Sequence, residues 1–133
     1  MKERMAACSC GQLQVLCTGE PARISMCHCV ACQRRTGAPF SAQSRFLRSC
    51  IRVSGASTAY QRIADSGNTV KSHFCPICGS TVWWELSGYP DLIAVALGMF
   101  ADPGYPPPKV SVWEASRHPW TERIADLDME HTN

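Results

Sequence analysis

The sequence predicts a mainly β fold of antiparallel sheets, stabilised by bound metal. Three observations lead there. Eight short stretches rich in β-branched and aromatic residues are separated by turn residues, no apolar stripe of helical period runs beyond about two turns, and seven of the nine cysteines fall into three close groups. A small all-β chain with frequent turns often needs metal to complete its stability, and cysteines are suitable ligands.

The expected strands are Gln12 to Thr18, Phe40 to Phe46, Ile51 to Val53, Thr58 to Ile63, Val70 to Phe74, Thr81 to Leu86, Leu92 to Leu97 and Val110 to Trp113. Gly19-Glu20-Pro21, Gly55, Ser66-Gly67-Asn68, Ser87-Gly88 and the PGYPPP run at 103 to 108 punctuate them. One helical turn is expected, starting near Cys29 and stopping at Gly37. The polar residues from Asp126 to Asn133 read as a frayed end.

The length of 133 residues fits one domain over 1–133, with no repeat and no internal linker. An apolar fraction of 45% and a charged fraction of 18% belong to a folded chain, and a net charge of +2 without a basic stripe argues against nucleic acid as a partner. The start, MKERMAACSCGQLQVLC, lacks the continuous apolar stretch of a secretory signal. No segment approaches the roughly 20 apolar residues of a membrane span, so a cytoplasmic protein with no membrane partner is expected. In a reducing compartment clustered cysteines bind metal or do chemistry more often than they form disulfides. Cys17 and Cys50 stand apart from the groups in apolar surroundings, where a lone cysteine is most often a small buried hydrophobe.

The groups are Cys8-Ser9-Cys10, Cys27-His28-Cys29-Val30-Ala31-Cys32 and Cys75-Pro76-Ile77-Cys78. Two residues between paired cysteines let one turn deliver both sulfurs to a tetrahedral ion such as zinc. Gly11 follows Cys10 as Gly79 follows Cys78, and glycine permits the backbone approach that N–H bonds to thiolate require, so these pairs read as halves of one closed four-thiolate site. That leaves Cys27, Cys29 and Cys32 with three thiolates. His28 points to the opposite side of an extended segment, and three protein ligands with an exchangeable fourth position are the arrangement of a catalytic or substrate-binding zinc. The alternative is a structural site completed by Cys17, Cys50, His73 or an aspartate.

CSCGQLQV, CHCVACQRRTGAPFS, FCPICGS, GMFADPG and SRHPW together resemble the glutathione-dependent formaldehyde-activating enzyme family, which includes centromere protein V. The similarity spans about residues 5 to 120. It implies a β-tent fold of antiparallel sheets, shared with small chaperones of GTPases. It also implies two zinc ions, one structural on Cys8, Cys10, Cys75 and Cys78 and one catalytic on Cys27, Cys29 and Cys32. The activity implied is that of a carbon–sulfur lyase, adding or removing a carbonyl carbon at a small thiol such as glutathione.

Metal contact deprotonates a thiol, and the thiolate then attacks an aldehyde carbon to give a hemithioacetal. Arg34 and Arg35 follow the trio and are candidates to offset its charge or to bind a substrate carboxylate; two solvated arginines are the plainer reading. Phe40, with Thr36 and Gly37, is a candidate for the adjoining wall, and is as readily a core residue. Trp83, Trp84 and Trp113 are candidates to cover a pocket, although strand aromatics are more often core. A second functional reading is a non-catalytic zinc-stabilised module that binds another protein. Oligomeric state has no signal in the sequence.

Overall fold

The computed structural model describes residues 1–132. Among these described residues ten strands form two sheets. In chain order they are β1 (Glu3–Ala7), β2 (Gln14–Thr18), β3 (Arg23–Cys27), β4 (Ser41–Leu47), β5 (Ile51–Ser54), β6 (Thr58–Ile63), β7 (Thr69–Phe74), β8 (Thr81–Leu86), β9 (Leu92–Ala96) and β10 (Val110–Val112). One α-helix, α1 (Val30–Thr36), lies between β3 and β4. The smaller sheet has the order β1-β2-β5, and the larger runs β10-β3-β4-β9-β8-β7-β6. All pairings are antiparallel except β10 with β3.

The mainly β expectation holds, with every expected strand present to within a few residues. Two strands, β1 and β3, escape the sequence reading. ERMAA carries strong helix formers and ARISMC breaks its apolar run with serine, so neither has the β-branched composition that marks a strand. Pairing supplies what composition lacks: β1 lies along β2 with Arg4 opposite Cys17, and β3 lies between β4 and β10. The stretch Pro119–Asp126, where the sequence reading places no element, forms 3₁₀ turns. Among the described residues no helix is long and apolar enough to cross a membrane.

The two faces of the larger sheet have different neighbours. Phe46, Ile93 and Val95 point to the smaller sheet and join Ala6, Val15 and Cys17 in the main core. Tyr105 returns from the β9–β10 connection to stack on Phe100 and donate its hydroxyl to Ser44 Oγ at 2.7 Å. On the other face Ala94 and Ala96 cluster with Val70 and Trp84. Strand β9 is therefore covered on both sides, which explains why LIAVA reads as a continuous apolar run rather than an alternation.

Between β7 and β8 the register slips at His73/Phe74, pairing His73 with Trp83 but Phe74 with Thr81. Strand β8 carries one extra residue there, so Val82 and Trp83 both pack towards the main core while Thr81 and Trp84 line the opposite face. Phe46 is fully buried where the sheets meet. Phe46→Ala is expected to lower the unfolding free energy by about 3–5 kcal/mol in urea denaturation. A loss under about 1 kcal/mol would mean that contact between the sheets does little to hold the fold.

Candidate metal centres and the adjoining cavity

The fold brings the sulfurs of Cys8, Cys10, Cys75 and Cys78 together, all within 4.8 Å of one another. Each pair sits in a hairpin loop built the same way. Cys8 N–H donates to Leu13 O at 3.0 Å in the β1–β2 loop, and Cys75 N–H donates to Ser80 O at 2.9 Å in the β7–β8 loop. Gly11 and Gly79 take φ of 82° and 79°, the left-handed turn that glycine enters without strain. Backbone N–H groups then aim at sulfur: Leu13 at Cys8 Sγ, 3.3 Å, and Ile77 at Cys75 Sγ, 3.4 Å. The Gln12 side chain donates to Cys75 Sγ at 2.9 Å.

Cys8 Sγ lies 3.6 Å from Cys10 Sγ, which lies 3.7 Å from Cys75 Sγ. Sulfurs at the usual zinc distance of about 2.3 Å, placed at tetrahedral corners, stand about 3.8 Å apart. The donor set and its spacing therefore fit a soft tetrahedral ion. Hydrogen bonding with the side chain and then the backbone of Ser80 holds the Cys78 thiol down to about 5, which favours the ligating form.

Cys27, Cys29 and Cys32 form a second group with sulfurs within 4.8 Å, and among the described residues no fourth cysteine, histidine or carboxylate joins it. Cys27 ends β3, Cys29 caps α1 and Cys32 lies in its first turn. Cys32 N–H donates to Cys29 Sγ at 3.3 Å. The Cys32 thiol is held down to about 5, first by its hydrogen bond with Cys27 and then by Cys29 and the charge of Arg35. That same bond with Cys32, followed by burial, pushes Cys27 up, and burial pushes Cys29 up. Three thiolates this close repel one another, and a cation held between them would offset that charge.

The alternative ligands lie elsewhere. Cys17 is fully buried in the main core, where burial lifts its thiol to about 12. Cys50 is in neither cysteine group. His73 is stacked on Trp83 with ring centroids 3.7 Å apart and is bonded through Nε2 to Glu85 at 2.9 Å. His28 is buried, and its Nε2 meets Ser111 Oγ at 3.0 Å.

The trio stands on the wall of a cavity of about 970 Å³ bounded by the second face of the larger sheet. Arg34 and Arg35 both line it, Arg34 exposed and Arg35 half-buried. Arg35 donates to Ser41 Oγ at 2.6 Å and lies 4.3 Å over the Trp84 ring. Trp84 and Trp113 line the cavity; Trp83 faces the main core. Phe40 is not part of the lining: its ring lies 6.1 Å from that of His28. Arg23, Gln43, Arg45 and Arg62 line the cavity without having been singled out from the sequence. They come from three strands, and only the strand order could have assembled them.

The profile of a family described as "Glutathione-dependent formaldehyde-activating enzyme" matches residues 3–116. A crystal structure of a Rhodobacter sphaeroides protein, 24% identical, superposes with a TM-score of 0.59 over 77% of this chain and 91% of that one. At that identity the likeness is one of fold alone. No curated protein matches the chain.

Metal analysis of the purified protein is expected to find two bound ions. Cys75→Ser should lose one of them and about 4 kcal/mol or more of stability, since the four sulfurs of that group come from loops of separate sheets. Cys29→Ser should lose the other with a stability change of about 1–2 kcal/mol at most, because its ligands lie within six residues of one another. Equal stability losses in the two variants would contradict this division of labour.

Proposed function

The chain belongs to the glutathione-dependent formaldehyde-activating enzyme family, and from that premise we propose that it is a zinc-dependent carbon–sulfur lyase that joins a small thiol to an aldehyde carbon or releases it. The observation that carries this reading is the incomplete sulfur trio: three donors, no fourth among the described residues, on the wall of a cavity large enough for a peptide-sized thiol. Cys8, Cys10, Cys75 and Cys78 would hold a structural zinc ion, and Cys27, Cys29 and Cys32 a catalytic one. Bound at the trio, zinc supplies the positive charge that keeps a nearby substrate thiol ionised at neutral pH.

In the adding direction the thiolate sulfur donates a lone pair to the aldehyde carbon and a C–S bond forms. The C=O π pair moves to oxygen, which takes a proton from solvent to give a hemithioacetal. The reverse returns that proton, re-forms C=O and releases the thiolate. The chain's own residues prepare this exchange. Arg35, fixed by Ser41 and Trp84, places a guanidinium beside Cys32 and offsets the charge of the three sulfurs. Val70, Trp84 and Leu86 give the cavity an apolar stretch of wall that limits water. Arg34, exposed and in the cavity lining, would meet a substrate carboxylate. A trio that must stay reduced suits a cytoplasmic protein, and glutathione is the first thiol to try.

Cobalt in place of zinc makes the test visible. Glutathione is expected to shift the absorption of the cobalt protein, and the zinc protein to speed the breakdown of S-hydroxymethylglutathione. Cys29→Ser should abolish the spectral shift and slow the reaction by about 100-fold or more. A protein that binds two ions yet shows neither thiol-dependent absorption nor rate enhancement would refute the lyase reading.

A further inference from the structure

The cavity concentrates charge that the sequence total conceals: five arginines and one aspartate line it, in a chain whose net charge is +2. Two of these arginines hold an arrangement that folding alone does not favour. Arg23 on β3 and Arg45 on β4 are directly opposite each other in the antiparallel ladder, and both line the cavity. Like charges in that position repel. Among the described residues neither has a carboxylate partner, although Arg4, Arg48 and Arg117 each have one. Nε of Arg23 and Nε of Arg45 are shut off from solvent and also lack an acceptor. Burial, and after it the charge of Arg23, pulls the Arg45 guanidinium below its usual range. Arg45 is braced against Tyr89, with its guanidinium carbon 4.8 Å from the ring centre.

The same ladder leads to the sulfur trio. Arg23 and Arg45, Ser25 and Gln43, Cys27 and Ser41 are successive opposed pairs with their side chains on one face. Four residues along β3, about 13 Å at strand rise, separate Arg23 from Cys27. Gln43 lies between them, its Oε1 accepting from Ser41 Oγ at 3.1 Å, which leaves the amide nitrogen to donate into the cavity.

We infer that Arg23 and Arg45 form an oxyanion-binding subsite that selects a thiol with an anionic end on the order of 10 Å from its sulfur. The two guanidinium forks bind the carboxylate or phosphate of the thiol's far end, the Gln43 amide meets its middle, and its sulfur stands at the trio. The position of the sulfur rests on the proposed lyase reading; the anion subsite does not. The pair determines specificity and touches no reacting atom. Its cost in the empty cavity is repulsion, which a bound oxyanion removes.

The test is calorimetry on the metal-loaded protein with charged and uncharged partners: glutathione against its diethyl ester, and 4′-phosphopantetheine against pantetheine. In the wild type at least one charged thiol should bind about tenfold or more tightly than its uncharged partner, and the pair that shows it distinguishes carboxylate from phosphate. In the double variant Arg23→Gln/Arg45→Gln the preference should shrink to within about twofold, with the melting temperature unchanged or raised because the repulsion is gone. S-methylglutathione, which has no thiol proton to lose, reads the subsite apart from the chemistry. If its binding depends on the two arginines while the cobalt protein ignores thiols, the subsite stands and the lyase reading falls. Charged and uncharged partners binding alike in the wild type, a preference retained by the double variant, or no binding by any of these compounds would overturn the inference.

Discussion

The structure depends on four sulfurs that come from two stretches far apart in the sequence. Cys8 and Cys10 lie at the turn of a hairpin in the small sheet, and Cys75 and Cys78 at the turn joining two strands of the large one. Side-chain contacts in the main core press the sheets together but leave their relative slide to packing. An ion between the two loops would fix that slide, because four thiolates at tetrahedral corners tolerate little displacement. Contacts beyond the sulfurs run across the same junction: Ser9 Oγ meets Ser80 Oγ at 3.0 Å, and Gln12 reaches both Ala56 O and Cys75 Sγ.

With one face of the large sheet committed to the small sheet, its other face is left to bound the cavity, and the sulfur trio stands on the wall of that cavity. The trio sits at the end of β3 and the start of α1, where six residues deliver three sulfurs without help from distant chain. The two cysteine groups thus differ in what they join. One spans a long chain separation and closes on itself; the other is local and, among the described residues, has no fourth ligand. Arginines from β3, α1, β4 and β6 add positive charge around the trio, which suits an anionic substrate.

The features legible in the sequence were those written within a few residues. The cysteine groupings, the glycines after Cys10 and Cys78, the short helix stopping at Gly37 and most strands could all be read locally. The side of the extended segment to which His28 turns followed from strand alternation, and its bond to Ser111 agrees. What was missed is produced by pairing. Strands β1 and β3 carry little β signal of their own, the roles of Trp83 and Trp84 depend on a one-residue slip in β8, and Arg23 meets Arg45 only because their strands are neighbours. Phe40, adjacent to the trio's segment in sequence, packs by His28 rather than lining the cavity. Proximity along the chain is a weak guide to who lines a cavity bounded by a sheet.

The claim at the centre of this account is that one metal is sealed by protein sulfur and the other is not. An anomalous-scattering map of crystals grown from metal-loaded protein tests it most directly. The account predicts two ions, one held by Cys8, Cys10, Cys75 and Cys78, the other by Cys27, Cys29 and Cys32 with a non-protein ligand in the remaining position. A fourth protein side chain on the second ion, or a disulfide within the trio and no ion there, would contradict it.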